Sequence, residues 1–465
     1  MQTEEKYIFI ETFGCQMNEN DSERMMAILK HLNYKTTKNL HEADMVILNT
    51  CSIRNRAEQK VYSALGRLKK LKTDKPELII GVGGCVAQQE GERLLKRVPH
   101  LDIVFGTHNI HCLPDLMKKV KVERNRVAVT EFVDSIEEES FAYAYAEDYS
   151  GSQSQRVKAF VAAMRGCDNF CSYCIVPYVR GREMSRKSAD ILQEVNRLAE
   201  SNIKEVTLVG QNVNSYGNKE EDISFTGLLK AVCRVNGIER VRFMTSHPKD
   251  MSEELIELFG EEDKLCRHIH LPVQSGSNII LEKMKRGYTR EDYLNKACKL
   301  KRLYPEIGIT SDIIVGFPGE TEAQFLETMS LIQEVEFDNI FSFKYSPRPE
   351  TEAAAFDDHI PEPIKEERLD ILQKMQRDIT LRKNQKMVGQ IVDILIEGKS
   401  KTAKGASHTA NNQLMGRTSC NKAVNISGDD AYVGKIVPVR IEKASVNSLL
   451  GFIVKNREER IHVCC

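Results

Sequence analysis

Three apolar runs near the start of the chain share one design: YIFIETFGC, DMVILNTC and LIIGVGGC each read as a buried strand that ends on a cysteine, at Cys15, Cys51 and Cys85. The cysteines are 36 and 34 residues apart, room for a strand, a crossover helix and the next strand. The intervening segments ERMMAILKHL, RAEQKVYSALGRLKKL and ERLLKRV carry apolar residues at helical steps. Such alternation predicts a parallel α/β sheet domain over residues 1–122. Asn20 or Asp21 is expected to cap its first helix.

From Val157 the alternation resumes with strands at KAFVAAMRG, EVTLVG, RVRFMTS, HIHLPVQ, GITSDIIVG and NIFSFKYS. Helices such as SADILQEVNRLAES, TREDYLNKACKLKRLYP and TEAQFLETMSLIQEVE lie between them. Six units predict a partial parallel (βα)6 barrel over 153–385, with its active-site loops at the strand C-terminal ends. After the charged helix IKEERLDILQKMQRDITLRKNQ, short alternating strands with Gly and Asn turns predict a small antiparallel β-barrel over 386–455. Residues 123–152 read as an acidic boundary segment, since 131–150 hold seven Asp or Glu and no Lys or Arg, and 456–465 form a tail.

Composition narrows the classes. Over 465 residues the chain is 41% hydrophobic and 29% charged, as in soluble globular proteins, and too long for one core. No apolar run approaches a bilayer span and MQTEEKY lacks a basic region followed by an apolar one, so no membrane partner and a cytoplasmic location are expected. Thirteen cysteines, an odd number in a long chain, point to metal or catalytic thiolates rather than a disulfide scaffold. The net charge of −1 averages over unlike regions: residues 386–455 carry ten Lys or Arg against five Asp or Glu.

The strongest chemical signal is RGCDNFCSYCIVPYVRG, where Cys167, Cys171 and Cys174 stand in C-x3-C-x2-C spacing just past the first barrel strand. Structural zinc usually takes four ligands and so do most cubane clusters, so three thiolates on a cubane leave one iron open to a small molecule. Zinc completed by a distant His, or plain core thiols, are the competing readings. The spacing, with an aromatic residue at Tyr173 before the last cysteine, resembles the radical S-adenosylmethionine superfamily. That resemblance implies a [4Fe-4S] cluster whose vacant iron binds S-adenosyl-L-methionine, and its one-electron cleavage to a 5′-deoxyadenosyl radical. Polar residues past the other strands are candidate cofactor contacts: Gln211 and Asn212, Ser246 and His247, Gln274 and Ser275, and Asp312 with Gly316. Turn chemistry is the competing explanation for each.

A lone cysteine is usually a small buried hydrophobe, which suits Cys233 and Cys298 on apolar helix faces. Cys112, Cys266 and Cys420 join no constellation, and Cys464 and Cys465 read as an exposed terminal pair. Cys15, Cys51 and Cys85 differ, because neighbouring parallel strands deliver their C-terminal ends to one sheet edge, where ligands bind in open α/β sheets. The glycines of TFGC and GVGGC are expected to give an inorganic group room. A second three-cysteine [4Fe-4S] cluster is the reading preferred here.

In order, TFGCQMN, NTCSIR, GVGGC, CDNFCSYC and a TRAM-like C-terminal barrel resemble the methylthiotransferases over nearly the whole chain. NTCSIRNRAEQK is similar to the branch that makes 2-methylthio-N6-dimethylallyladenosine in tRNA beside the anticodon, while CDNFCSYC is also similar to enzymes of threonylcarbamoyl-adenosine. The resemblance implies tRNA anticodon stem-loop binding, an external electron donor and a sulfur source. It implies no acid–base dyad, because a radical removes the substrate hydrogen. Arg417, Lys422, Lys435 and Arg440 are candidate RNA contacts, and five excess charges on single-stranded phosphate give a log–log salt slope of at most about −3.5. The same chemistry on a ribosomal-protein aspartate, and a non-catalytic iron–sulfur RNA-binding or electron-transfer module, are the alternatives.

Overall fold

The computed structural model describes residues 5–52, 55–133, 156–219, 222–400 and 413–454. The first domain is a six-stranded parallel sheet in the order Tyr34–Thr36, Lys6–Thr12, Met45–Thr50, Ile79–Gly84, Ile103–Phe105, Val127–Val129. Every residue of Met45–Thr50 and Ile79–Gly84 is buried. That is why these central strands read as unbroken apolar runs: helices cover both faces. Val46, Leu48, Ile80 and Val82 pack on one side against Val61, Leu65 and Leu68. Met45, Ile47 and Ile79 pack on the other against Met25 and Leu29, following the two-residue period of a strand.

Two expectations change here. The boundary at 122 falls inside the helix Leu113–Glu123, and the chain then adds Val127–Val129 to the first sheet, so that domain continues past it. The first helix runs Gln16–Lys30 with Cys15 at its N-cap, so Asn20 and Asp21 lie within it. Both are buried, and Asn20 Nδ2 donates across the domain boundary to the Phe160 carbonyl at 3.1 Å.

The central domain holds the six expected parallel strands, Lys158–Ala162, Glu205–Val209, Arg240–Met244, His268–His270, Gly308–Val315 and Asn339–Lys344. They pair in chain order, with the two three-stranded halves joined through Val241 and Leu265. The first and last strands are the open edges of a partial barrel, and one continuous apolar core lies between the strands and their helices.

The C-terminal barrel is closed by five strands, Ile391–Lys399, Gln413–Thr418, Ala423–Ser427, Leu449–Ile453 and Ile436–Ala444 in spatial order. It is not wholly antiparallel: Val424 pairs with Leu449 in a parallel seam. Ile436–Ala444 crosses over to pair with Ile391–Lys399, so the following strand returns alongside Ala423–Ser427 in the same direction. Guanidiniums from the central strands hold this barrel in place. Arg240 donates to the Arg417 and Asp393 carbonyls at 2.6 and 2.9 Å, and Arg242 to those of Ser419 and Thr418 at 2.9 and 2.8 Å. Most of the acidic boundary segment and all of the tail lie outside the described residues. Among those described, no helix is long and apolar enough to cross a membrane.

Candidate functional site

Parallel register brings the three N-terminal cysteines to one sheet edge, since Thr12 pairs with Asn49 and Thr50 with Gly84. Buried amides tie their loops together. Cys15 Sγ donates to Asn18 Oδ1 at 3.3 Å, while Asn18 Nδ2 donates to Asn49 Oδ1 and the Thr50 carbonyl at 3.1 and 3.0 Å. Thr50 Oγ1 accepts from the Val86 amide at 3.2 Å, which links the Cys51 and Cys85 loops. Cys51 and Cys85 are buried, and Cys15 half-buried. The glycines let the backbone pack closely at this edge. A Cβ on Gly14 would sit 2.6 Å from Cys51 Cβ, one on Gly83 2.3 Å from the Phe105 ring, and one on Gly84 2.4 Å from the Thr50 carbonyl.

The second set lies on the loop between Met164–Arg165 and the helix Val176–Arg180. Cys167 and Cys171 are each 8% exposed, and the Cys174 amide donates to the Cys171 carbonyl at 2.9 Å. Arg286, itself buried, donates from Nη1 to Cys171 Sγ at 3.3 Å and to the Tyr173 hydroxyl at 3.5 Å. Burial and then the charge of Cys171 push the Cys174 thiol up to about 12, and burial likewise raises Cys167. Three thiols on one loop, raised by burial, would ionise together only beside a cation, and cysteine thiolates are the ligands of iron–sulfur clusters. Among the described residues, no three His, Cys, Asp or Glu side chains are gathered as a preformed metal-ion site. The loop backbone is strained: Phe170 has φ of 43°, and Thr245 and Gln274 at neighbouring strand ends have 71° and 73°.

Around this loop the strand-end candidates divide. Asn212 Oδ1, Ser246 Oγ and His247 Nε2 are buried without a protein hydrogen-bond partner, the pattern of a site shaped for a polar small molecule. His247 is pushed down to about 2 by burial, then by Arg286, Lys249 and Lys296, so it is neutral. Asp312 stays half-exposed with Oδ1 3.5 Å from His270 Nε2. Gln211 Oε1 accepts from the Gly166 amide at 2.6 Å and braces the cysteine loop, while the Gln274 backbone bridges Asp312 and Ile314. Ser275 and Gly316 are engaged in internal contacts. The Ser275 hydroxyl is fully buried against Thr328 Oγ1 and the Ser277 amide. Gly316 gives its amide to Glu320 at 2.7 Å and leaves no room for a side chain beside Lys365.

A cavity of about 420 Å³ occupies the junction of all three domains. Gln16 lines it from the first domain, Phe160, Arg242 and Met244 from the second, and Asn421 and Ser448 from the third. Gln16 directly follows Cys15 in the chain, so the cavity borders the N-terminal cysteine edge. Cys420 lines it too, whereas Cys298, expected on an apolar face, is exposed. Of the four basic candidates, Arg417 pairs with Glu397 at 3.2 Å and Lys422 with Asp338 at 2.9 Å, and both line this cavity. Lys435 is exposed and Arg440 half-exposed on the barrel surface. Sequence reasoning missed Arg286, which carries no local motif, and Arg180, Asn18 and Asn49, which stand inside CIVPYVRG, TFGCQMN and LNTC.

A three-cysteine loop at the mouth of a partial parallel barrel, flanked by an α/β sheet domain and a closed β-barrel, defines a radical S-adenosylmethionine enzyme of the methylthiotransferase kind. Family models agree: one described as Uncharacterized protein family UPF0004 matches residues 7–106, the Radical SAM superfamily 161–332, and the TRAM domain 385–454. The chain is 54% identical over 450 residues to the tRNA-2-methylthio-N(6)-dimethylallyladenosine synthase of Geotalea uraniireducens (strain Rf4), covering 97% of this chain and 99% of that one. It is 50% identical over 456 residues to the synthase of the same name from Geobacter sulfurreducens (strain ATCC 51573 / DSM 12127 / PCA), with 98% and 99% covered. The chain belongs to the tRNA-2-methylthio-N(6)-dimethylallyladenosine synthase family. Among solved structures, it is similar in fold to the radical S-adenosylmethionine methyltransferase TsrM from Kitasatospora setae, at a TM-score of 0.55 and 13% identity over 76% of this chain and 74% of that one.

Proposed function

We propose that the chain transfers a methylthio group to C2 of N6-dimethylallyladenosine in tRNA, next to the anticodon. The observation that carries this reading is the junction cavity, lined by residues of the C-terminal barrel and by Gln16, the residue after Cys15. Its volume of about 420 Å³ suits one extruded nucleoside. The enzyme uses S-adenosyl-L-methionine and a [4Fe-4S] cluster.

Cys167, Cys171 and Cys174 would hold that cluster, which when bound supplies the one-electron cleavage of S-adenosyl-L-methionine. Tyr173 and Arg286 brace the ligand loop from within. Asn212, Ser246 and His247 present unpaired polar atoms beside it, and Asp312 offers a carboxylate; these are the residues proposed to orient the cofactor. His247, neutral and uncharged through the working pH range, contributes a hydrogen bond and no charge. A second [4Fe-4S] cluster is proposed on Cys15, Cys51 and Cys85. An external electron donor and an external sulfur source complete the reaction. Lys435 and Arg440 on the exposed barrel surface are the proposed phosphate contacts.

The test is anaerobic turnover of the reconstituted enzyme with S-adenosyl-L-methionine, dithionite and sulfide. Two anticodon stem-loops compete, one carrying dimethylallyladenosine and one threonylcarbamoyl-adenosine. Mass spectrometry of the digested nucleosides should find the methylthio product only on the first. Product confined to the second overturns the substrate assignment, and no methylthio product on either overturns the reaction.

A further inference from the structure

The junction cavity has a direction. The helix Gln16–Lys30 runs antiparallel to the first barrel strand, Lys158–Ala162, because Asn20 donates to the Phe160 carbonyl at 3.1 Å and Glu23 pairs with Arg156 at 2.8 Å. Gln16 therefore marks the end of the cavity beside Cys15, and Lys158, at the start of that strand, the end toward the C-terminal barrel. Among the described residues, four Lys or Arg line the cavity, and each has a carboxylate within 3.2 Å. Arg242 Nε stands 2.9 Å from Glu205 and Lys422 Nζ 2.9 Å from Asp338, both pairs almost wholly enclosed. Lys158 and Arg417 are the open ones, with 41% and 32% of their side chains exposed, and a single carboxylate holds both. Glu397 accepts from Lys158 Nζ at 2.8 Å and stands 3.2 Å from Arg417 Nε, with only 9% of its own side chain exposed. The backbone is built for this: the ladder between Ile391–Lys399 and Gln413–Thr418 shifts register between Ile396 and Gly398, so Glu397 is the extra residue of a β-bulge, and a bulge re-aims the side chain it carries.

We infer that Glu397 is a specificity-determining residue that occupies the place between Lys158 and Arg417 which a carboxylate on the N6 substituent would take, a role that rests on reading the cavity as the nucleoside site. C2 and N6 leave the purine from different corners of one ring. A base that turns C2 to the cysteine edge thus turns its N6 substituent away from Gln16, toward Lys158 and Arg417. Dimethylallyl is a hydrocarbon and needs no counter-ion; Phe160, Met244 and Phe341, the last 44% exposed, offer it apolar surface along the same walls. Threonylcarbamoyl ends in a carboxylate. At this end of the cavity it meets Glu397 already seated between the two cations, and like charges brought together in a partly enclosed site repel. The enzyme is thereby kept to uncharged N6 substituents.

The experiment uses the full chain, reconstituted anaerobically and supplied with S-adenosyl-L-methionine, dithionite and sulfide. Wild type should first convert the dimethylallyladenosine stem-loop; failure there overturns the cavity reading and the inference with it, whereas every later outcome bears on Glu397 alone. Two further stem-loops then differ only in charge, one carrying threonylcarbamoyl-adenosine as the free acid and one its methyl ester. Competed in one mixture, the ester should yield at least about tenfold more methylthio product in wild type. Glu397→Gln keeps the shape and removes the charge, so it should narrow that preference at least about threefold. Lys158→Gln leaves Glu397 less compensated and should widen it. An ester no better than the acid in wild type, product from neither included, overturns the inference. So does an unchanged preference in folded Glu397→Gln, or a change in the same direction in both variants. Should Glu397→Gln fail to fold, Lys158→Gln decides alone: a wider preference supports the role, and an unchanged or narrower one ends it.

Discussion

Lys422 of the C-terminal barrel places Nζ 2.9 Å from Oδ1 of Asp338, a residue of the central domain with only 8% of its side chain exposed. Lys383 takes the other oxygen at 2.6 Å, and the Ile309 amide donates to it at 3.0 Å. Lys422, a candidate RNA contact by its location in a basic domain, thus also bolts two domains together. Removing Asp338 strands two lysines in a buried site, at a cost of about 3–5 kcal/mol. Asp338→Asn should accordingly lower the thermal midpoint. Burial alone would raise the Asp338 carboxyl, yet Lys383 and Lys422 hold it below the usual carboxylate range. Its folded value lies below the unfolded one of about 3.9, so the contribution is present above that pH and disappears as pH falls through the folded value. The gap between wild type and Asp338→Asn should thus narrow in acid.

The basic residues make a paired prediction in RNA binding. Lys435→Ala and Arg440→Ala should each weaken anticodon stem-loop binding and reduce the log–log salt slope by about 0.7 if each meets one single-strand phosphate. Lys422→Ala should lower stability and leave that slope unchanged. A fluorescence titration at several salt concentrations separates the two behaviours.

Iron content tests the cysteine edge directly. Cys15→Ala, Cys51→Ala and Cys85→Ala combined should halve the iron of the reconstituted protein, from about eight to about four per chain. Unchanged iron would remove these residues from the ligand set.

Gly84 tests how the edge is built. Its φ of 88° and the 2.4 Å approach of a Cβ to the Thr50 carbonyl leave no room for Ala. Gly84→Ala should cost about 1–3 kcal/mol and displace Cys85, lowering the iron held at the N-terminal edge. Gly66 is the control, since a Cβ placed there would meet nothing within 4 Å. Gly66→Ala should be neutral or mildly stabilising within its helix, Asn55–Asp74. Iron analysis and thermal unfolding of the two variants side by side make the comparison.

His247 predicts an acid limit. Its folded value of about 2 lies below the unfolded value of about 6.5, so the native state binds fewer protons and stability falls as pH drops below about 6.5. The loss from this group approaches about 1.4 kcal/mol for each pH unit. His268, fully buried and also held well below its ordinary value, adds to the slope with the same sign. His247→Gln should therefore shallow the decline between about pH 6.5 and 5 without abolishing it, as measured by denaturant midpoints across that range.

Much of the architecture is legible from pattern, because apolar runs bounded by Gly and Cys mark buried parallel strands and three- and four-residue steps mark their helices. All six central strands lie where alternation predicts them, and C-x3-C-x2-C is a local spacing that needs no fold to be seen. Adjacency of parallel strands also implies that Cys15, Cys51 and Cys85 share one edge, since strand direction decides where chain ends arrive. The tertiary structure alone decided what meets across domain boundaries. Asp21 has the sequence signature of a helix cap and instead pairs with Arg180, 159 residues away; Lys422 has that of a surface charge and pairs with Asp338. The internal hydrogen bonds of Ser275 and Gly316 were not legible either, because turns and binding loops draw on the same small polar residues. Charge and polarity are written in the sequence, but whether a charged group faces water, a ligand or a buried partner depends on packing between segments distant in the chain.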